Sequence, residues 1–188
     1  MSIFKRKTRK SFYIGLRRSD INHLKKFRKA INSNAKISYV KSNNSVRLGI
    51  YSSERFFNSL VKLGITPNKS LRIRKIIIPN NLINHFIRGI FDGDGSISGK
   101  KITHVQFQIA GYKPLLKQIQ EILIKKCDVN RVKIYPLNYK KKGKALRLQY
   151  TGSQIFRILN FLYKKSTNQT RLERKYKKYL MLKKKFGK

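Results

Sequence analysis

The chain has 188 residues, enough for one compact domain or two small halves sharing a core, and 40% are hydrophobic, with 10 Tyr and 11 Phe. That is sufficient apolar material for a folded core and excludes a disordered basic tail. Its 46 Lys and Arg against 7 Asp and Glu give a net charge of +39; such a surplus seeks phosphate, and with no apolar run near the roughly 18 residues of a membrane span, nucleic acid is favoured over lipid.

Residues 1–10 form a short basic lead-in without the apolar core of a secretory leader. Ser11–Leu16 has the character of a strand. Ser19-Asp20 is placed to cap a helix in which Ile21, Leu24, Phe27 and Ile31 recur at three- and four-residue spacing. Lys36–Val40 and Val46–Tyr51 read as strands joined by the turn-forming segment Lys41–Ser45. Ser52-Ser53 precedes a second helix with Phe56, Phe57, Leu60 and Val61 on one face, stopped by Gly64 and Pro67. Asn68–Ile78 is a basic linker containing Lys69, Arg72 and Arg74. After Pro79, residues 81–91 form a helix.

The pattern then returns. Ser96–Ser98 and His104–Ala110 read as a hairpin, and Lys113–Lys126 as a helix with Pro114 in its first turn. Cys127, the single cysteine, rules out an internal disulfide and a cysteine-based zinc site. Arg131–Leu137 and Ala145–Tyr150 are expected strands around the basic loop 138–144, which carries Lys140, Lys141, Lys142 and Lys144. A helix follows Thr151-Gly152-Ser153, and a last one covers about 170–184. Leu24–Phe27 matches Leu116–Ile119, and Arg47–Tyr51 resembles Leu146–Tyr150, so the chain contains an internal repeat. The halves are 11–78 and 79–188.

On the expected strands Arg47 alternates with apolar neighbours, and Arg147 and Gln149 share one face while Leu146, Leu148 and Tyr150 share the other. Strands of this kind fit a major groove, where Arg and Gln read base edges. Ordinary solvated strand faces would look the same one strand at a time. Two such hairpins in a chain of this charge point to nucleic acid.

Early in the second half lies Ile87-Arg88-Gly89-Ile90-Phe91-Asp92-Gly93-Asp94-Gly95, with two of the seven acids of the chain two residues apart. Locally this is either a helix end running into an Asp-Gly turn or a site where carboxylates hold a hard cation beside a phosphate. The segment resembles the motif of the LAGLIDADG homing endonucleases, and the resemblance extends over nearly the whole chain. It implies an α+β LAGLIDADG homing-endonuclease fold, two pseudo-symmetric ββαββα-type halves around a central motif helix. It further implies a Mg²⁺-dependent, site-specific DNA endonuclease encoded by a group I intron, with Asp94 as the metal-binding acid and Asp92 as the earlier acid of the motif. Gly89, and with it Gly93, would serve close helix packing. A basic active-site residue would correspond to Lys175, or Lys69 in the first half. A glutamine position near the metal corresponds to Gly111, or Arg18 in the first half. Nucleic acid would be held through Arg18, Arg47, Lys69, Arg72, Arg74, Lys140, Lys141, Lys142, Lys144, Arg147 and Gln149.

This sequence departs from that pattern in having one motif, since the residues before Phe12 are a short basic stretch with no acid. The alternative is therefore a catalytically inactive relative that binds RNA structurally, in a ribosome or a folding intron, with a second chain or RNA covering the motif helix. The abundance of Lys, Asn and Ile suggests an AT-rich coding sequence and an organelle, a mitochondrion in preference to a chloroplast.

Overall fold

The computed structural model describes residues 2–5, 10–51, 54–63, 76–99, 104–137 and 145–186. The chain separates into two compact units, Met1–Ile76 and Ile77–Lys188. In the first, strands β1 (Ser2–Lys5) and β2 (Lys10–Arg17) are followed by helix α1 (Ile21–Ala30), strands β3 (Ile37–Val40) and β4 (Ser45–Tyr51), and helix α2 (Glu54–Lys62). In the second, helix α3 (Ile83–Asp94) leads strands β5 (Gly95–Ser98) and β6 (Gln106–Gly111), helix α4 (Lys113–Cys127), strands β7 (Tyr135–Pro136) and β8 (Leu146–Thr151), and helices α5 (Gln154–Tyr163) and α6 (Glu173–Phe186). The described residues thus form an α+β fold of six helices and two antiparallel sheets.

Both sheets have the same strand order, β1-β2-β4-β3 and β5-β6-β8-β7. Ile3 lies opposite Phe12 and Phe12 opposite Ile50; Ile97 lies opposite Phe107 and Phe107 opposite Tyr150. Each sheet buries one face under its helices. In the first unit Leu24 of α1 packs on Val46 and Leu48, and Phe57 of α2 on Phe12. In the second, Phe107, Ile109, Leu148 and Tyr150 meet the inner sides of α3, α4 and α5. Among the described residues, the larger cluster of fully buried side chains lies in the second unit.

The structure corrects four readings. Ser2–Lys5, within the basic lead-in, is a strand paired with Lys10–Tyr13; flanking Lys and Arg hid a run too short to show alternation. The repeat is displaced by one residue: Arg47 corresponds to Arg147, not Leu146. Leu48 and Leu148 are both fully buried, and an odd displacement would turn one of them outward. The expected strand Arg131–Leu137 shrinks to Tyr135–Pro136, since Val132 gives its carbonyl to the side chain of Gln120, 2.7 Å away, instead of to a ladder. Finally, Asp20 occupies the position before α1, yet its side chain makes no capping bond to that helix.

Candidate nucleic-acid interface and motif-helix site

Helix α3 runs through Asp94 instead of ending in an Asp-Gly turn, and the chain passes directly into β5 at Gly95. The close join requires a glycine: a Cβ on Gly95 would lie 2.6 Å from the carbonyl oxygen of Phe91. Ile87 and Phe91 face the core. Arg88 and Asp92, one turn apart on the same side, are buried as well. Gly89 and Gly93 are exposed, and a Cβ at either would meet nothing within 4 Å.

Arg88 is 2% exposed. Its Nε–H donates to the Thr170 carbonyl at 3.1 Å and an Nη–H to the Leu162 carbonyl at 2.9 Å. The other Nη–H donates to His85 Nδ1 at 2.7 Å, which requires a neutral ring with its proton on Nε2. Asp92 Oδ2 accepts from the Leu172 backbone N–H at 3.0 Å. Burial pushes the Asp92 carboxyl above the usual carboxylate range, opposed by that hydrogen bond and by Lys175 and Arg88. Asp92 is therefore a packing acid that ties the motif helix to the start of α6.

Lys175 is 5% exposed. Its ammonium donates to the carbonyls of Phe91, of Asp92 at 3.0 Å and of Gly95 at 2.5 Å, and lies 4.6 Å from the centre of the Phe91 ring. A cation at these carbonyls meets the negative end of α3 and satisfies the last turn. The residue expected to serve chemistry instead sits beneath the motif with its donors turned to backbone. Asp94 is the exposed acid of the pair.

His85 carries a testable pH effect. Burial first, then the charges of Arg88 and Lys165, hold its pKa below the ordinary value of 6.5. The folded state then binds fewer protons than the unfolded chain. The stability from the neutral ring is full above about pH 6.5 and falls as pH drops toward the folded pKa. Asp92, with a raised pKa, acts in the opposite sense. Thermal melts at pH 7.5 and 5.5 should show a smaller acid loss in His85→Gln than in the parent, Asp92 being common to both; equal losses would contradict the assignment.

The described residues contain no group of three or more His, Cys, Asp or Glu able to hold a metal ion. Asp94 alone faces solvent at the motif, with Asp92 turned inward. Mg²⁺ keeps several waters and is commonly held by one or two carboxylates together with substrate phosphates, so Asp94 by itself supplies one ligand of the site the resemblance implies and not the whole of it. The ladder register aligns Ser96-Ile97 with Ser2-Ile3.

The outward sheet faces supply a second set of groups. On the second unit Gln108 lies opposite both Ser96 and Gln149, Gln106 opposite Thr151, and Arg147 between Ala110 and Tyr135. On the first, Arg47 is exposed between Gly15 and Ser38. Arg18, also exposed, lies over the Tyr39 ring at 5.3 Å beside a cleft of about 250 Å³ that both help to line. The expected residues Arg47, Arg147 and Gln149 thus fall on outward faces, and Arg18 lies just past the end of β2. Gly111 ends β6 against Leu116. Lys69, Arg72, Arg74, Lys140, Lys141, Lys142 and Lys144 lie outside the described residues. Gln106 and Gln108 were legible from their alternation with Phe107 and Ile109 and were missed; Arg88 gave no signal in so basic a chain.

No protein-family model matches the sequence, and no curated protein matches it closely enough to count as a relative. Solved structures do. The I-LtrWI LAGLIDADG homing endonuclease bound to target DNA is similar with a TM-score of 0.60 and 13% identity, over 98% of this chain and 85% of that one. The LAGLIDADG meganuclease I-CpaMI bound to uncleaved DNA gives 0.60 and 16%, over 95% and 82%. The N-terminal LAGLIDADG domain of DUF199/WhiA gives 0.55 and 15%, over 87% and 74%. With its twofold ββαββα order and its Gly-Asp-Gly helix end, this chain has a LAGLIDADG-type fold.

Proposed function

We propose that the chain binds nucleic acid through the outward faces of its two sheets and does not cut it unaided. The observation that carries this reading is the pair of matching strands β4 and β8, each presenting an arginine outward at the same register position in a chain of net charge +39. Arginine and glutamine on a strand face can donate to and accept from base edges, while the surrounding lysines neutralise phosphates. Similar folds occur in the DNA-bound endonucleases I-LtrWI and I-CpaMI, which supports a nucleic-acid partner. The single exposed motif acid and the inward turn of Asp92 favour a binding protein, of structural RNA in preference to a cleavage site. An excess of charge strengthens non-specific binding, which a structural RNA protein tolerates better than a sequence-specific nuclease.

Arg147→Ala should weaken binding by about 1–3 kcal/mol, measured by anisotropy of labelled duplexes and folded RNA at fixed salt. Lys184→Ala, which removes the same charge from the exposed side of α6, should change it far less. Equal losses would mean that total charge, not the sheet face, holds the ligand.

A second reading rests on Asp94, exposed at the end of a helix whose Gly89 and Gly93 face open space. A further motif helix, from another chain, would bring a second acid beside it and complete a Mg²⁺-dependent endonuclease. Nicking that appears only with such a partner and disappears in Asp94→Asn would establish that form.

A further inference from the structure

The two outward sheet faces share an arginine, Arg47 and Arg147, and differ most in the aromatic character of the first. Where the second unit carries Gln108 and Thr151, the first carries Tyr13 and Tyr51 at the same ladder positions. The two tyrosine rings meet edge to face, 5.6 Å apart at 84°. The Arg47 guanidinium lies 5.3 Å from the centre of the Tyr13 ring. Tyr51 is 63% exposed, although it is among the largest apolar surfaces on a charged face.

The backbone makes room for this arrangement. Gly49 lies opposite Tyr13 on the neighbouring strand. A Cβ on Gly49 would come 2.8 Å from the Tyr51 hydroxyl oxygen and 2.9 Å from its Cζ. The Tyr51 ring therefore leans back along its own strand into the space a side chain at position 49 would fill. A hydrogen bond with Tyr13 raises the Tyr51 phenol above its usual range and holds the two rings together. Opposite Arg47, Gly15 leaves the ground beside the cluster clear. The result is an exposed aromatic surface flanked by a cation, with Ser11 opposite Tyr51 and Ser38 opposite Arg47.

Such a surface suits one ligand. Bases inside a duplex already have both faces stacked and offer a groove only their edges, for which Gln108 and Thr151 are the better partners. An unpaired base has a free face, and stacking on an aromatic ring with an arginine at its edge is how single strands are gripped. The charge of +39 supplies the attraction for the strand's phosphates. We propose that Tyr13, Tyr51 and Arg47 form a stacking platform for the unpaired bases of a single-stranded nucleic acid segment, so that the first unit holds unpaired bases where the second reads paired ones. This rests on the nucleic-acid reading above and narrows it.

The test uses the full chain with single-stranded RNA and DNA carrying 2-aminopurine and the same sequences as duplexes. With no Trp in the chain, the probe is read without interference. Wild type should bind the single strands and quench the probe. Tyr51→Ala should weaken single-strand binding about fivefold to a hundredfold and restore fluorescence, with duplex affinity within about twofold. Tyr51→Phe keeps the ring but not the hydroxyl that bonds Tyr13, and should retain most of the single-strand binding, and circular dichroism checks that all variants fold alike. Loss confined to either RNA or DNA single strands supports the platform and names the strand. Unchanged single-strand binding in Tyr51→Ala, or an equal loss on duplexes, overturns it. Wild-type binding of neither form would instead defeat the broader nucleic-acid reading.

Discussion

Arg88→Ala is expected to lower the stability of the second unit by about 3–5 kcal/mol, the range for removing one member of a buried charged network. The substitution leaves the Leu162 and Thr170 carbonyls without the donors that reach them at 2.9 and 3.1 Å. It also removes a cation whose field helps keep the buried Asp92 ionised. Those two carbonyls lie at the end of α5 and in the turn before α6, so the network fastens both to the motif helix. Arg88→Lys restores the charge but not the planar fork, and should recover only part of the loss. Urea unfolding of the three proteins, followed by circular dichroism, measures the difference. A loss below about 1 kcal/mol for Arg88→Ala would show that the buried bonds contribute little.

Lys175→Met is expected to cost about 2–4 kcal/mol, from carbonyls left unsatisfied in a buried place and a lost cation at a helix C-terminus. Methionine keeps most of the stem's volume, so the change isolates the ammonium from its packing. Amide exchange of residues 92–95 should speed up, because Lys175 bonds the carbonyls on both sides of the join between α3 and β5. The opposite expectation follows if Lys175 faces a phosphate in the working protein. Stability would then hold while affinity for nucleic acid falls, and that pattern would overturn the capping role.

What could be read in advance depended on how each residue's role is encoded. Periodicity revealed the helices: Leu24, Leu116, Ile119 and Leu123 recur at helical spacing and are all fully buried. Alternation revealed the longer strands and their outward Arg47 and Arg147. It failed for Ser2–Lys5, where four residues are too few to alternate visibly, and for Arg131–Leu137, whose alternation reflects Val132 and Ile134 packing on the core without a partner strand. The one-residue error in the repeat came from matching the identical Tyr51 and Tyr150. Their surroundings differ: Tyr150 is buried and Tyr51 is not.

At the site, the acids were conspicuous because acids are rare in this chain. Their division of labour was not, since whether a carboxylate points inward depends on α6, some 80 residues away. Arg88, and the capping role of Lys175, were hidden for the converse reason: two cations among 46 carry no contrast until burial singles them out. The Tyr13–Tyr51 pair escaped notice because tyrosine in a strand is ordinarily a packing residue. Only the register, which sets Tyr13 against Gly49, shows the rings outside.

The central claim is that this basic chain binds nucleic acid through its sheet faces, with the surrounding cations neutralising phosphates, and the salt dependence of binding tests it most directly. Anisotropy titrations of labelled nucleic acid with the full chain, from about 50 to 200 mM salt, should give a straight line of log affinity against log salt. Its slope should correspond to roughly six or more phosphates, a loss on the order of a thousandfold across that range, and Arg47→Ala with Arg147→Ala should make it shallower by up to about two charges. A slope near zero, or no binding at the lowest salt, would contradict the account.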